Sequence, residues 1–297
     1  MKFKSNILLL LVLYASFGSV NAQAKKDSIN KKRFNTLIIG TSVAYTASLV
    51  ALNDLWYSNS PQAPFHFFND NKEWLQVDKV GHMYSTYQIS NVGQRLLLWS
   101  GVNKKKAAIW SSIAGFGLMI PIEIFDGHSQ KYGASAGDLV ANFTGAALFL
   151  TQQLTWGEIK IHPKFSFQQS GLAHLRPDVL GENLMQQMIK DYNGQTYWLS
   201  FDLYKFGRKG NKFPKWLNVA AGYGANNMIY AHQEDNEAAN LNPYRQFYLA
   251  IDFDLTHIKT KSKFLNSCLF FVNMIHLPAP ALEYNTQDNF KFHFLQW

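Results

Sequence analysis

Hydrophobic and polar positions along this chain follow two different periods, and the change falls near Trp156. Phe34 to Leu52 carry no charged residue, a run close to the ~20 residues that cross a bilayer as a helix. Asn53 to Gln76 is rich in Pro, Asn and aromatic residues and reads as a loop. Helical patterns then recur over Asp78 to Ser100, Ala107 to Ile122, with Pro121 near its end, and about Ser135 to Leu154. Lys104-Lys105-Lys106 and a loop from Gly127 to Ala134 separate these three segments. Connections this short favour an up-down-up-down bundle.

After Trp156 the pattern shortens. Asp178 to Tyr192 reads as one amphipathic surface helix, and beyond it the period becomes two. Phe247 to Leu255 is the clearest case. Phe247, Leu249, Ile251, Phe253 and Leu255 share one face, which predicts a strand with one buried or lipid-facing side, and Tyr248, Ala250, Asp252 and Asp254 share the other. Thr196 to Phe206, Trp216 to Tyr230, Cys268 to Leu277 and Phe290 to Trp297 are the other strand candidates. The expected fold is α+β: a membrane-associated four-helix up-down bundle over residues 34–156, then an antiparallel sheet of about five strands within 157–297. Five strands are too few for a closed membrane barrel from one chain, which needs at least eight.

Composition changes the setting more than the fold. Hydrophobic residues make up 47% of the 297 residues and charged residues 16%, against ~25% in ordinary soluble domains. Residues 1–22 read as a secretory signal. Lys2 and Lys4 begin it, Ile7 to Tyr14 form its apolar run, and Val20-Asn21-Ala22 suits a peptidase, so the mature chain starts at Gln23. The single cysteine, Cys268, excludes a disulfide within the chain, and no cysteine follows the signal to carry a lipid. The net charge of +8 lies beside apolar runs, which favours membrane lipid over nucleic acid as the partner and leaves any protein partner open. Lys-rich segments flank the first two helices, which would make those ends cytoplasmic, whereas a cleaved signal delivers residue 23 to the periplasm. The chain is thus expected in a bacterial envelope with periplasmic exposure, and inner and outer membrane stay open.

Three polar pairs carry the candidate chemistry: Asp78 with His82, Glu123 with Asp126, and Asp138 with Asn142. Spacings of three or four put both members of each pair on one helix face. In an up-and-down bundle the start of the second helix, the end of the third and the start of the fourth lie on one side. Six polar groups from separate parts of the chain therefore converge at one mouth. The structural readings are specific. Asp138 follows Ser135 by three, as in a capping box, and Asp78 could be an N-cap. Asn142 could bridge helices beside a small-residue face of Ala141 and Gly145. Glu123 and Asp126 are harder to explain this way, because acids at a helix C-terminus oppose its dipole. One His with several carboxylates suits either a hard or borderline divalent cation or general acid–base work, so metal and cofactor stay open. His128 could supply a second nitrogen, though a surface position suits it better. No phosphate-binding glycine loop, dinucleotide fingerprint, nucleophile elbow or zincin motif is present.

The stretch Asp78-Lys79-Val80-Gly81-His82 with Tyr84, and Glu123 to Asp126 continuing through Ser135 and Asp138 to Asn142 and Gly145, resembles the YfiM-like family of uncharacterised predicted periplasmic lipoproteins. The order of motifs is also similar to that of VanZ-like membrane proteins, from which the chain departs with Asp126 where Gln is usual. The resemblance covers about residues 34–156 and implies a small helical membrane bundle that keeps its polar residues together. It implies no reaction. Two functions follow as expectations. One is an envelope membrane protein acting on a lipid or cell-wall precursor, with His82 as acid–base or metal group and Glu123, Asp126 and Asp138 as its carboxylate partners. The other is a non-catalytic envelope protein whose cluster locks the helices while the sheet binds a partner.

Overall fold

The computed structural model describes residues 29–57, 61–208 and 210–297; the predicted signal peptide lies outside them. Helix α1 (Lys31–Leu52) starts where the Asn30 side chain accepts from the Arg33 amide, and runs on into a single π-helical turn, Asn53–Tyr57. Helices α2 (Val77–Trp99), α3 (Lys104–Gly127) and α4 (Ala136–Thr155) lie within a few residues of the predicted segments. These three form the bundle proper around Tyr87, Ala108 and Phe149. Their backbones approach closely. A Cβ on Gly145 would lie 2.2 Å from the Met83 carbonyl oxygen, so the predicted small-residue face does bring α4 onto α2.

The expected four-helix bundle is therefore three packed helices with a fourth alongside. In α1 only Leu37 is buried, while Ile38, Ile39, Val43 and Val50 face outward. Polar ties hold it: the Tyr45 hydroxyl donates to the Leu118 carbonyl at 2.8 Å and Arg33 donates to that of Trp99 at 3.2 Å. The segments Lys31–Tyr57 and Lys104–Gly127 are long and apolar enough to cross a membrane, by length and composition. Trp110, Ile113 and Ile124 of α3, and Val140 and Phe143 of α4, are also exposed.

The sheet has six strands in sequential order, each antiparallel to its neighbours: β1 (Ile161–Phe167), β2 (Gln195–Phe201), β3 (Leu217–Asn226), β4 (Tyr244–Phe253), β5 (Ala279–Asn285) and β6 (Asn289–Gln296). Two were not foreseen. In β1, Pro163, Lys164 and Ser166 hide the apolar alternation, and in β5 the buried face mixes Ala279 and Ala281 with Glu283 and Asn285 while Leu282 and Tyr284 face outward. One predicted strand is a helix. Residues 268–277 divide between α5 (Lys263–Val272) and the segment after it, because Ser262 caps the start by accepting from the Leu265 amide. A short apolar run fits either state, and here the cap decides. The predicted helix over 178–192 is likewise two pieces, Pro177–Leu180 and Leu184–Lys190, broken at Gly181, whose φ of 104° a side chain rarely adopts.

The sheet is inverted relative to a soluble sandwich. Its covered face carries Lys164, Ser200, Asn218 and Asp252 among Trp198, Ala220, Tyr248, Ala250 and Ala281. Its opposite face exposes Phe247, Leu249, Ile251, Leu282, Tyr284, Phe290 and Phe292. The residues after α5 cover the polar face, with the His276 ring stacked on Trp198 at 3.9 Å. The bundle meets the sheet along β1: the Tyr87 hydroxyl donates to the Ile161 carbonyl and the Gln88 amide to that of Pro163.

Candidate functional site

Where α2 begins, α3 ends and α4 begins, the three predicted polar pairs come together. His82 stands two turns into α2. Its Nε2 lies 3.9 Å from Asp78 Oδ1 and 3.9 Å from Asp138 Oδ1, and its Nδ1 lies 3.2 Å from Asn142 Oδ1 and 3.7 Å from Glu123 Oε1. Asn142 Oδ1 also lies 2.9 Å from the Thr86 hydroxyl, so the Asn142 amide links the His82 ring to Thr86 on the same helix. Nε2 is the ring atom turned to the two aspartates. Asp126 accepts from the Tyr57 hydroxyl at 2.8 Å, and Asp78 accepts from that of Tyr192 at 2.6 Å.

Each acid is anchored differently. The Ser135 hydroxyl caps α4 by accepting from the Asp138 amide at 3.1 Å, one half of the predicted capping box; the Ser135 amide donates to Glu123 instead of Asp138. Asp78 is not a cap: the N-cap of α2 is Gln76, and Asp78 sits in the first turn. Glu123 accepts from the Ser135 amide at 3.0 Å, which ties the end of α3 to the start of α4. That hydrogen bond offsets part of the dipole conflict at the α3 terminus.

Lys79 and Asp70 belong to the site as much as the predicted residues do. Lys79 Nζ lies 2.6 Å from Asp70 Oδ2, 2.7 Å from Asp138 Oδ1 and 3.5 Å from Asp78 Oδ2. Lys79 stood inside the motif that carried the family resemblance, between Asp78 and His82. Asp70 comes from the loop before α2 and had no periodic signal. That loop enters α2 through Trp74, Leu75 and Gln76, all at positive φ (48°, 48° and 67°). Non-glycine residues there cost roughly 1–2 kcal/mol each. Arg245 donates to the Leu75 carbonyl at 2.8 Å, and the Tyr223 hydroxyl also donates to it, so the sheet clamps the turn that aims Asp78 and Lys79.

Burial disfavours the His82 cation, but Asp78, Asp138 and Glu123 outweigh it and raise the imidazole above its ordinary value. Lys79 is raised in the same way by Asp78 and Asp138 against its burial. Burial pushes Asp138 toward the protonated form, while His82 and the Lys79 contact oppose that. His82 and the carboxyls around it therefore titrate as one coupled group, with a proton shared among them.

A cavity of about 360 Å³ opens onto this cluster. Asp70, Asp78, His82, Asp126 and Asp138 line its polar end; Leu52, Trp56, Phe68, Met119, Ile122, Phe125 and Phe165 line much of the rest, together with Glu73, Lys131 and Gln195. Ligand atoms of Asp78, His82 and Asp138 lie within 4.8 Å of one another, close enough for one cation. Lys79, 2.7 Å from Asp138, already supplies a fixed positive charge there. His128 is outside the cluster, exposed and packed edge-on against Phe65.

Residues 66–152 match the model of a family described as predicted periplasmic lipoprotein (DUF2279). The matched span includes Asp70, Asp78, Lys79, His82, Glu123, Asp126, Asp138 and Asn142, and ends inside α4. The match is to this family and gives no support to the VanZ-like comparison. Neither the curated proteins nor the solved structures contain a match to the chain. The match agrees with a cell-envelope, membrane-associated location with periplasmic exposure.

Proposed function

We propose that this envelope protein acts on an amphiphilic molecule, a lipid or a lipid-linked cell-wall precursor, with His82 as the acid–base group. One observation carries the reading: His82 stands between Asp78 and Asp138 at the polar end of a cavity whose other walls are mainly apolar and aromatic, with Glu73, Lys131 and Gln195 among them. An apolar chain against Leu52, Met119 and Ile122 would leave its polar head at His82. Asn142 fixes the ring, and Asp78 and Asp138 stabilise the imidazolium as it takes a proton. Glu123 and Asp126 complete the group of carboxyls around His82, and Lys79 pairs with Asp138 and Asp70 beside it. Membrane lipid is the partner that the exposed apolar faces of α1, α3, α4 and the sheet suit best.

The test is complementation of a null mutant with His82→Gln, set against His128→Gln. Loss of a general acid–base group costs ~10²- to 10⁴-fold in rate. The proposal expects His82→Gln to accumulate to wild-type levels and fail to restore the envelope phenotype. Full rescue by a well-expressed His82→Gln protein defeats it. A second reading has support from the Lys79 ion pairs, which join the loop before α2 to α4 and could be purely architectural. That reading expects abundance and function to fall together in Lys79→Met and His82→Gln.

A further inference from the structure

A second group of ionisable side chains lies away from His82, at the junction of β1, β2 and β4. Asp254, just past β4, is fully buried. Its Oδ1 accepts from the Thr256 amide at 2.8 Å and the Thr256 hydroxyl at 2.6 Å. Its Oδ2 has no hydrogen-bond partner among the described residues. Yet three nitrogens surround that oxygen: His162 Nε2 at 3.5 Å, His257 Nε2 at 3.5 Å and Lys205 Nζ at 3.6 Å. The His162 Nε2 is itself buried and, among the described residues, without a hydrogen-bond partner. Asp202, also fully buried, presents Oδ2 3.3 Å from His257 Nε2 and 2.8 Å from Lys205 Nζ.

The two imidazole separations from Asp254 Oδ2, 3.5 Å each, are too long for good hydrogen bonds and suit two ligands of one ion. Bonds of about 2.0–2.1 Å at a tetrahedral angle hold ligand atoms roughly 3.3–3.5 Å apart. Ligand atoms of His162, Asp202 and Asp254 all lie within 4.8 Å of one another. Two buried carboxylates beside one ammonium also leave a net negative charge in a place where unpaired charge is costly. We propose that His162, Asp254 and Asp202, with His257 at the rim, bind a borderline divalent cation such as Zn²⁺. Two imidazole nitrogens and two carboxylate oxygens are a donor set suited to that class. Lys205 donates to the Ile159 carbonyl at 2.9 Å and to Asp202, and so holds Asp202 in place. Access is provided by a cavity of about 260 Å³ between bundle and sheet, lined in part by His162, Lys205 and Thr256. The cation joins β1, the end of β2 and the turn after β4, and its role is to brace the sheet where the bundle docks.

The experiment is Zn²⁺ titration of the purified, metal-stripped full chain in detergent, read by calorimetry and by elemental analysis after desalting. His82→Gln and His162→Gln are the two variants, with circular dichroism as the check on folding. The expected result is one tightly held Zn²⁺ per chain and a raised melting temperature in both wild type and His82→Gln. His162→Gln loses both while its circular dichroism is unchanged. If His162→Gln does not fold, His257→Gln at the rim replaces it, with at least tenfold weaker binding expected. Folded wild type that retains no Zn²⁺ overturns the proposal. So does binding lost in His82→Gln and kept in the His162 and His257 variants, which would place the ion at the other cluster.

Discussion

Lys164 on β1 and Asp252 on β4 form a 2.6 Å ion pair with both side chains fully buried, although β2 and β3 stand between their strands in the sheet. Strands ~4.8 Å apart would separate β1 from β4 by roughly 14 Å in a flat sheet. The pair therefore requires a strongly curled sheet whose concave side is the polar one. His276 Nδ1 lies 3.0 Å from the other Asp252 oxygen, and Lys164 also donates to the Phe253 carbonyl at 2.7 Å. Removing one partner strands a buried charge, so Lys164→Met is expected to destabilise by about 3–5 kcal/mol. The double variant with Asp252→Asn is expected to regain much of that loss. Urea unfolding of the three proteins in detergent checks both values, and additive losses would mean that the two residues are not coupled.

The same pair sets an acid limit. Burial pushes Asp252 up, but the His276 hydrogen bond and the Lys164 charge prevail and hold it down to about 2. A carboxyl lowered on folding stabilises the native state above its unfolded value of about 3.9. That contribution is lost as pH falls from about 4 through 2. Melting temperature against pH should drop in this window, and in Asp252→Asn the drop should be smaller.

His82 follows the opposite sign. Its folded value is raised, so its contribution to stability is complete below about 6.5 and is lost as pH rises through the folded value. The imidazole proton resonances of His82 should titrate above the ordinary histidine value of about 6.5. Asp78→Asn should bring them down. A His82 that titrates below about 6.5 would contradict the charge balance described for the site.

Helix contact gives a steric test. A Cβ at Gly145 would meet the Met83 carbonyl oxygen at 2.2 Å, whereas one at Gly117 meets nothing within 4 Å. Gly145→Ala is expected to cost about 1–3 kcal/mol through forced separation of α4 from α2. Gly117→Ala should be neutral or gain up to about 1 kcal/mol from helix propensity. Thermal melts of the two alanine variants distinguish them directly.

The exposed face of β4 to β6 offers the last prediction. Leu249→Lys with Phe292→Lys places two charges on the apolar side, where Leu249 is 56% and Phe292 57% exposed. If that face contacts lipid, the double variant should float less well with vesicles of phosphatidylethanolamine and phosphatidylglycerol than wild type. Equal flotation would remove the sheet from the lipid-contacting surface and leave that role to the helices.

What the sequence determined by itself is local and periodic. The uncharged run of α1, the limits of α2 to α4, the Ser135 cap and the alternation of β4 all follow from spacings that reflect neighbouring residues on one element. Chain order and short turns were enough to expect Asp78, His82, Glu123, Asp126, Asp138 and Asn142 at one mouth. The tertiary structure decided what depends on distant partners. Only packing draws Asp70 to Lys79, or Tyr57 and Tyr192 to the carboxylates, since no spacing encodes a contact between residues far apart in sequence. β1 escaped notice because its inward residues are polar, and they are polar because the curled sheet pairs Lys164 with Asp252. Asp252 and Asp254 read along the chain as the wet side of a strand; the fold buries them both, and so makes partners for their charges a condition of its stability.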